Sequence, residues 1–138
     1  MSLLYCDSSA LVKLVREEAE SPALRTFIAE CDQGPRLTIA SSALSHTEVL
    51  RAVSRSSHAL VAEAKELLAG ITLIDITQEV LERAGLLEPA GLRSLDAIHL
   101  ASVLPESAGL IAVVTYDVRM SQAAREVGLP VASPGVAG

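Results

Sequence analysis

Short apolar runs alternate with stretches of helical periodicity along this chain. The first run, LLYC at residues 3–6, is long enough for a buried strand but too short for a helix. Asp7 ends that run, and Ser8 and Ser9 then begin a segment whose apolar residues recur at helical spacing as far as Val15. The pattern therefore predicts a strand, a turn and a helix, with a carboxylate at the carboxyl end of the strand.

The same alternation continues down the chain and predicts an α/β fold. Besides the first strand, apolar runs predict strands at residues 37–40, 71–76, 110–116 and 130–132. Helices are predicted to start near residues 8 and 21 and to span about 44–53, 60–68, 78–87, 94–104 and 120–127. Ser21 and Ser94 are the predicted N-caps of two of them. Strands that alternate with helices indicate a parallel sheet with helices on both faces.

The composition is that of one domain with an aliphatic core. The chain has 138 residues, so residues 1–138 form a single domain that can bury a core without disulfides or metals. Half of the residues are hydrophobic, but there is only one Phe, two Tyr and no Trp. The net charge of −6 excludes a general basic field, so a polyanionic substrate would need metal ions or a local basic patch.

Neither the cysteines nor the hydropathy indicates an exported or membrane protein. Cys6 and Cys31 form no CxxC pair, and Cys6 falls inside the first predicted strand. The start shows no secretory signal, and no uncharged apolar run approaches the ~18 residues that a membrane span needs. We therefore expect a cytoplasmic protein in a reducing environment, without membrane contact.

Four carboxylates stand at positions that a parallel sheet would bring to one edge. Asp7 and Asp117 each end a predicted strand. Glu48 lies in the helix after the second strand, and Asp96 lies in the first turn of a buried helix. Each has a structural explanation: the first two as N-caps, Glu48 in a capping box that begins at Ser45, and Asp96 beside a helix dipole. Uncompensated carboxylates repel, however, so a cluster of all four is stable mainly with a divalent cation.

Four segments of the chain, in order, carry a resemblance to a known family. They are YCDSSALVKL near the start, the Glu in LSHTEVLRA, RSLDAIHLA in the third quarter, and VVTYDVRMSQAAREVGLPV near the end. From about residue 3 to residue 131 the chain resembles the PIN-domain ribonucleases, specifically the VapC-type toxins of bacterial toxin–antitoxin pairs. The resemblance implies a PIN-like three-layer α/β/α fold whose central parallel sheet has the strand order 3-2-1-4-5.

The resemblance also implies an active site. Its catalytic and metal-binding residues would be Asp7, Glu48, Asp96 and Asp117, supported by the hydroxyls of Ser8 and Thr115. Hard oxygen ligands without a set of His or Cys suit Mg²⁺ or Mn²⁺ rather than zinc. The protein would then be an endoribonuclease, a hydrolase that needs one of these ions to cleave RNA.

Partners and an alternative follow from the same resemblance. A cognate VapB-type antitoxin would neutralise the toxin, and the chain would form a homodimer, with helices near 21–32 and 60–68 as the expected contact surface. The alternative is a catalytically inactive PIN-like module that binds RNA or protein. An intact set of four acidic residues favours the enzyme.

Basic side chains near the four acids are the predicted contacts with the RNA backbone. They are Lys13, Arg51, Arg55, Arg93 and Arg119. A solvated charged surface is the alternative role for each of them. His99, three residues after Asp96, would be a possible general base, but its apolar helix favours a hydrogen-bonded core histidine.

Overall fold

The computed structural model describes residues 2–34 and 36–137, which form five strands and seven α-helices. The strands are β1 (Ser2–Cys6), β2 (Leu37–Ser42), β3 (Thr72–Ile74), β4 (Leu110–Val114) and β5 (Val131–Ala132). The helices are α1 (Ser8–Val15), α2 (Ser21–Cys31), α3 (Leu44–Ser56), α4 (Val61–Ala69), α5 (Gln78–Gly85), α6 (Ser94–Val103) and α7 (Val118–Glu126). Strands and helices alternate along the chain as the sequence predicts.

All strand pairs are parallel, and the strand order β3-β2-β1-β4-β5 is the one that the family resemblance implied. In the central strand β1, Leu4 pairs with Ile39 of β2 and with Ala112 of β4. The order of connection reverses at β1, which makes the carboxyl ends of β1 and β4 the place where such sheets bind ligands. The pairing extends to Asp7, whose backbone N–H donates to the Val114 carbonyl at 3.1 Å.

The sheet separates two aliphatic cores. Alternate residues of β1 point to opposite faces, so Leu4 and Cys6 lie in one core and Tyr5 lies in the other. Helices α1 to α4 close the first core, and α6 and α7 close the second. Both cores consist mainly of Leu, Val and Ala, as the composition predicts.

Several element ends differ from the prediction. β3 covers three residues and β4 ends at Val114, because Asp117 caps the next helix and residues 115 and 116 form the connection. Ser21 and Ser94 are the first residues of α2 and α6 rather than N-caps. Ser21 is buried instead, where its hydroxyl accepts the Glu18 N–H and donates to the Lys13 carbonyl. This hydroxyl therefore holds the turn between α1 and α2.

The two cysteines are free thiols in different surroundings. Cys6 is buried in β1, as predicted, and burial raises its pKa to about 12. Cys31 is partly exposed at the end of α2. In the part of the chain that the structure describes, none of the helices combines the length and the apolar character that crossing a membrane requires.

Candidate functional site

The carboxyl edge of the sheet carries a cleft of about 290 Å³ that all four predicted acidic residues line. Asp7 follows β1 and Asp117 follows β4, while Glu48 comes from α3 and Asp96 from the first turn of α6. Because β1 and β4 are parallel neighbours, their carboxyl ends meet at this edge. The remaining residues of the cleft are Ser8, Ser9, Arg93, Ser94 and Leu95.

Asp7 is almost fully buried, with 5% exposure, and it caps α1. Its Oδ1 accepts hydrogen bonds from the Ser9 hydroxyl at 2.6 Å and from the Ala10 N–H at 3.2 Å. Its Oδ2 accepts one from the Thr115 hydroxyl at 2.5 Å. Burial raises the pKa of Asp7, and the bonds from Ser9 and Thr115 offset part of that rise. Asp7 is thus an N-cap whose carboxylate is also held by two hydroxyls.

The same two hydroxyls join the ends of β1 and β4. Thr115 donates to Asp7 and accepts the backbone N–H of Asp117 at 3.1 Å. Ser9 also donates to Asp7, and it accepts the backbone N–H of Tyr116 at 2.9 Å. The chain segment that leaves β4 is therefore bound directly to the buried carboxylate at the end of β1.

The hydroxyl that makes these bonds belongs to Ser9, while the residue to which the resemblance assigns a supporting role is Ser8, directly after Asp7. Ser8, the first residue of α1, lines the cleft. Ser9 lies one step further along the helix and reaches the end of β4. No local signal separates the two serines, because the difference arises from which of them faces the neighbouring strand.

Asp117 caps α7 and is held on its other side by an arginine. Its Oδ1 accepts the backbone N–H groups of Arg119 at 2.9 Å and Met120 at 3.3 Å. Its Oδ2 accepts a hydrogen bond from Arg93 at 2.6 Å. Partial burial acts to raise the pKa of Asp117, but the backbone N–H groups and the Arg93 guanidinium outweigh it and lower that pKa. Asp117 therefore stays ionised more readily than Asp7.

Arg93 bridges two of the acidic residues. Its guanidinium also contacts Asp96 Oδ2 at 2.9 Å, so one side chain compensates the charges of Asp96 and Asp117. Within residues 2–34 and 36–137, no three His, Cys, Asp or Glu side chains are grouped closely enough to hold a metal ion. The acidic residues share a cleft, and the positive charge between two of them is that of Arg93, which the sequence indicated as an RNA contact.

Glu48 is hydrogen-bonded to His99, a buried histidine of α6. Oε1 of Glu48 lies 2.8 Å from Nε2 of His99, and Nδ1 of His99 lies 2.7 Å from the Tyr5 hydroxyl. His99 is buried and its two ring nitrogens are both bonded, so its interpretation as a hydrogen-bonded core histidine is confirmed. Its link to Glu48 is a feature that the sequence did not indicate, since the two residues lie 51 positions apart.

The capping box proposed for Glu48 is wrong. Helix α3 begins at Leu44, so Ser45 already lies inside it and is buried. The Ser45 hydroxyl lies 2.6 Å from that of Ser41, and the Leu44 N–H donates instead to the Ser42 hydroxyl at 3.1 Å. Glu48 therefore has no capping role and turns toward His99.

The predicted basic contacts other than Arg93 fall into two groups. Lys13 is bound to Glu18 at 2.8 Å and to Glu20 at 2.7 Å, and it lies over the ring of Tyr116. The other group consists of Arg51, Arg55 and Arg119. These side chains are exposed and form no ion pair within the described part of the chain. A second cleft of about 290 Å³, lined by Lys13 and Arg16, adjoins the acidic one and shares Glu48 with it.

Comparison with known proteins finds relatives over most of the chain. A family model described as "PIN domain" matches residues 4–126. The chain is 42% identical over 135 residues to Ribonuclease VapC47 of Mycobacterium tuberculosis, an alignment that covers 96% of this chain and 98% of that protein. It is 40% identical over 134 residues to Ribonuclease VapC46 of the same species, covering 97% and 99% of the two chains.

A solved structure has the same fold at low sequence identity. The crystal structure of the Mycobacterium tuberculosis toxin VapC20, described as cleaving the sarcin-ricin loop, superposes with a TM-score of 0.70. The two share 14% sequence identity over 95% of this chain and 99% of the other. At this identity the likeness concerns the arrangement of strands and helices alone.

Proposed function

Because this chain belongs to the PIN-domain family, and within it to the VapC-type proteins, we propose that it is a metal-dependent endoribonuclease toxin. The observation that carries the proposal is the single cleft at the carboxyl edge of the sheet, lined by Asp7, Glu48, Asp96 and Asp117. All four residues lie inside the segment that matches the family. The reaction would be hydrolysis of RNA phosphodiester bonds in the cytoplasm.

The donors in the cleft are of the type that Mg²⁺ or Mn²⁺ binds, and Mg²⁺ commonly takes only one or two carboxylates together with water. Carboxylate oxygens are the hard ligands that these ions prefer, and the nearby histidine is turned to Glu48 rather than into the cleft. Asp96 and Asp117 already share a cation, the Arg93 guanidinium. A divalent ion at these two carboxylates would compensate their negative charge in place of Arg93. The Arg93 guanidinium could then contact an RNA phosphate.

Each group of residues in and around the cleft would then have its own role in the reaction. When bound, the ion would polarise the scissile phosphodiester and favour an attacking water at neutral pH. Asp7 and Asp117 are held by hydroxyls and backbone N–H groups, so their oxygens are oriented in advance. The exposed Arg51, Arg55 and Arg119 would contact the RNA backbone, and no side chain is required as a nucleophile.

An RNA cleavage assay tests the proposal. With Mg²⁺ or Mn²⁺, the purified chain should cleave single-stranded or loop RNA, and EDTA should stop it. Asp96→Asn and Asp117→Asn should each lower the rate about 100-fold or more, because several kcal/mol of metal-derived stabilisation are lost. Asp75→Asn is the matched control, since Asp75 is exposed and follows β3 at the same edge; it should cleave like wild type.

Two outcomes would contradict the proposal. Full cleavage by Asp96→Asn would exclude this cleft as the active site, and full cleavage by wild type in EDTA would exclude metal dependence. Binding of RNA by wild type without cleavage, at saturating Mn²⁺, would favour the inactive PIN-like module instead.

We also propose that a cognate VapB-type antitoxin neutralises the chain. The acidic cleft already accepts one arginine side chain from its own chain, so a basic side chain of a partner fits the same carboxylates. A solved neighbour from Rickettsia felis, with a TM-score of 0.65 and 15% identity, is VapBC2 bound to a DNA fragment from its promoter. Purification of the chain together with the product of an adjacent small gene, followed by loss of cleavage, tests this.

A homodimer is part of the proposal, and the structure offers an alternative to the surface expected on α2 and α4. The larger apolar side chains of α2 and α4, such as Phe27 and Leu67, pack against the first core. Exposed large apolar side chains lie elsewhere, for example Leu81 on α5 and Leu86 just after it. Light scattering of the isolated chain measures the oligomeric state.

A further inference from the structure

A line of three polar side chains runs from the second core to the acidic cleft. The Tyr5 hydroxyl lies 2.7 Å from His99 Nδ1, and His99 Nε2 lies 2.8 Å from Glu48 Oε1. Tyr5 is 0% exposed and His99 is 3% exposed. Their rings meet edge to face, with centroids 5.9 Å apart. The line therefore begins in a dry interior and ends at a carboxylate in the cleft.

The direction of these hydrogen bonds follows from the chemistry of the two ends. An ionised carboxylate only accepts, so the proton of the bond to Glu48 is carried by Nε2 of His99. The other ring nitrogen, Nδ1, is then free to accept from the Tyr5 hydroxyl. A phenol is protonated at neutral pH, and the Tyr5 hydroxyl lies within hydrogen-bond distance of that nitrogen. Tyr5 thereby selects the tautomer in which His99 donates to Glu48.

Glu48 differs from the other three acidic residues in how it is held. Asp7 and Asp117 accept backbone N–H groups, and Asp96 accepts from the guanidinium of Arg93. Within residues 2–34 and 36–137, the only side-chain hydrogen bond to Glu48 comes from His99. Glutamate also loses more rotamer freedom than aspartate, and it is therefore ordered at a larger entropic cost. A rigid, buried donor offsets that cost.

We propose that His99 is a positioning residue for Glu48 and that Tyr5 fixes the tautomer which makes this possible. The inference rests on the proposed function, because Glu48 is taken to be one of the oxygen ligands of the ion. The bond to His99 engages Oε1 and leaves Oε2 available in the cleft that Glu48 lines. Outer-shell donors of this kind orient ligands and affect metal affinity by about 10–100-fold.

Three variants separate the positioning role from a merely structural one. In His99→Asn the side-chain amide matches the place of Nδ1, so it keeps a partner for Tyr5 but does not reach Glu48. In His99→Gln the amide matches the place of Nε2 and still donates to Glu48. Tyr5→Phe keeps the packing and removes only the hydroxyl. The measurement is Mn²⁺ binding to each purified protein by isothermal titration calorimetry, with thermal melts in EDTA to verify folding.

His99→Asn should bind Mn²⁺ about 10-fold more weakly than wild type, while His99→Gln should stay within about threefold of it. The Mn²⁺ affinity of Tyr5→Phe should lie between those of the two His99 variants. If the folded variants all bind Mn²⁺ as tightly as wild type, the positioning role is excluded and the proposed function stands. If wild type itself binds no Mn²⁺, the proposed function fails and the role of His99 fails with it.

A spectroscopic measurement tests the inference without any metal, and does so even where a His99 variant does not fold. The ¹⁵N shifts of the imidazole rings distinguish a protonated Nε2 from a protonated Nδ1 in a chain with only three histidines. Wild type should show His99 protonated on Nε2, and Tyr5→Phe should show a mixture of tautomers. A wild-type His99 protonated on Nδ1 alone would overturn the inference.

Discussion

At the scale of the residue, Asp7 combines a charge with almost complete burial. Its two oxygens accept three hydrogen bonds, yet burial still raises its pKa above the ordinary aspartate value. The folded protein therefore keeps a proton on Asp7 over a pH range in which the unfolded chain has released it. The contribution of Asp7 to stability is fully present below the ordinary pKa and is lost as the pH rises through the raised one.

The direction of this pH dependence of stability leads to a prediction about Asp7→Asn. In metal-free buffer with EDTA, wild type should lose stability relative to Asp7→Asn as the pH rises from acid to neutral. At neutral pH the variant should be as stable as wild type or more stable, because asparagine still caps a helix but bears no charge. Melting temperatures from about pH 4 to pH 8 measure this; about 1 kcal/mol corresponds to roughly 3–5 °C for a domain of this size.

Asp75→Asn is the control for the loss of one negative charge, since Asp75 is exposed. Its melting temperature should run parallel to that of wild type over the whole pH range. A constant difference between wild type and Asp7→Asn would show that burial does not raise the pKa of Asp7.

At the scale of the element, two hydroxyls connect the β1–α1 junction to the β4–α7 junction. Each one donates to Asp7 and accepts a backbone N–H from the segment after β4. Thr115 is fully buried, so its hydroxyl makes these bonds out of contact with solvent. The two junctions that carry Asp7 and Asp117 therefore form one hydrogen-bonded unit.

Thr115→Val tests this unit, because valine has nearly the same shape and lacks the hydroxyl. The variant leaves a carboxylate oxygen and a backbone N–H without their partner and should lower the free energy of unfolding by about 1–3 kcal/mol. Ser9→Ala should also destabilise, and the double variant should deviate from additivity by about 0.5 kcal/mol or more, since both hydroxyls share Asp7. Urea unfolding of the four proteins measures the coupling.

Thr72→Val is the matched control, because Thr72 is exposed in β3. It should change the free energy of unfolding by no more than about 0.5 kcal/mol. If Thr115→Val were equally neutral, the two hydroxyls would not hold the junctions together.

At the scale of the whole molecule, a net charge of −6 opposes binding to RNA. Several basic side chains are also neutralised by neighbours, as Lys13 is by Glu18 and Glu20. Two of the exposed arginines, Arg51 and Arg55, form a local patch on α3, the helix that carries Glu48. RNA affinity should therefore depend on few arginines.

The double variant Arg51→Gln/Arg55→Gln should weaken RNA binding and leave Mn²⁺ binding unchanged. For single-stranded RNA, the slope of log affinity against log salt should become shallower by about 0.7 for each phosphate that the variant no longer binds. Arg36→Gln is the control, since Arg36 is exposed just before β2, at the opposite edge of the sheet. Equal weakening by Arg36→Gln would mean that RNA binding follows net charge rather than this patch.

The sequence by itself determined the alternation of strands and helices, the aliphatic core and the positions of the four acidic residues. These features rest on local patterns, because the period of apolar residues and the residues that end a strand or begin a helix act over a few positions. The strand order and the nature of the site were indicated by four motifs in family order. Element ends such as that of β4 were less well predicted, because a cap on the next helix sets them.

Only the tertiary structure decided which partner each acidic residue takes. Thr115 reaches Asp7 over 108 positions, Tyr5 reaches His99 over 94, and His99 reaches Glu48 over 51. Such bonds depend on which strands are neighbours and which helix face turns to the cleft, and no periodicity along the chain encodes either. For the same reason the sequence did not single out Ser9 as a hydroxyl that binds Asp7. Arg93 likewise contacts both Asp96 and Asp117 only because the fold brings these three residues together.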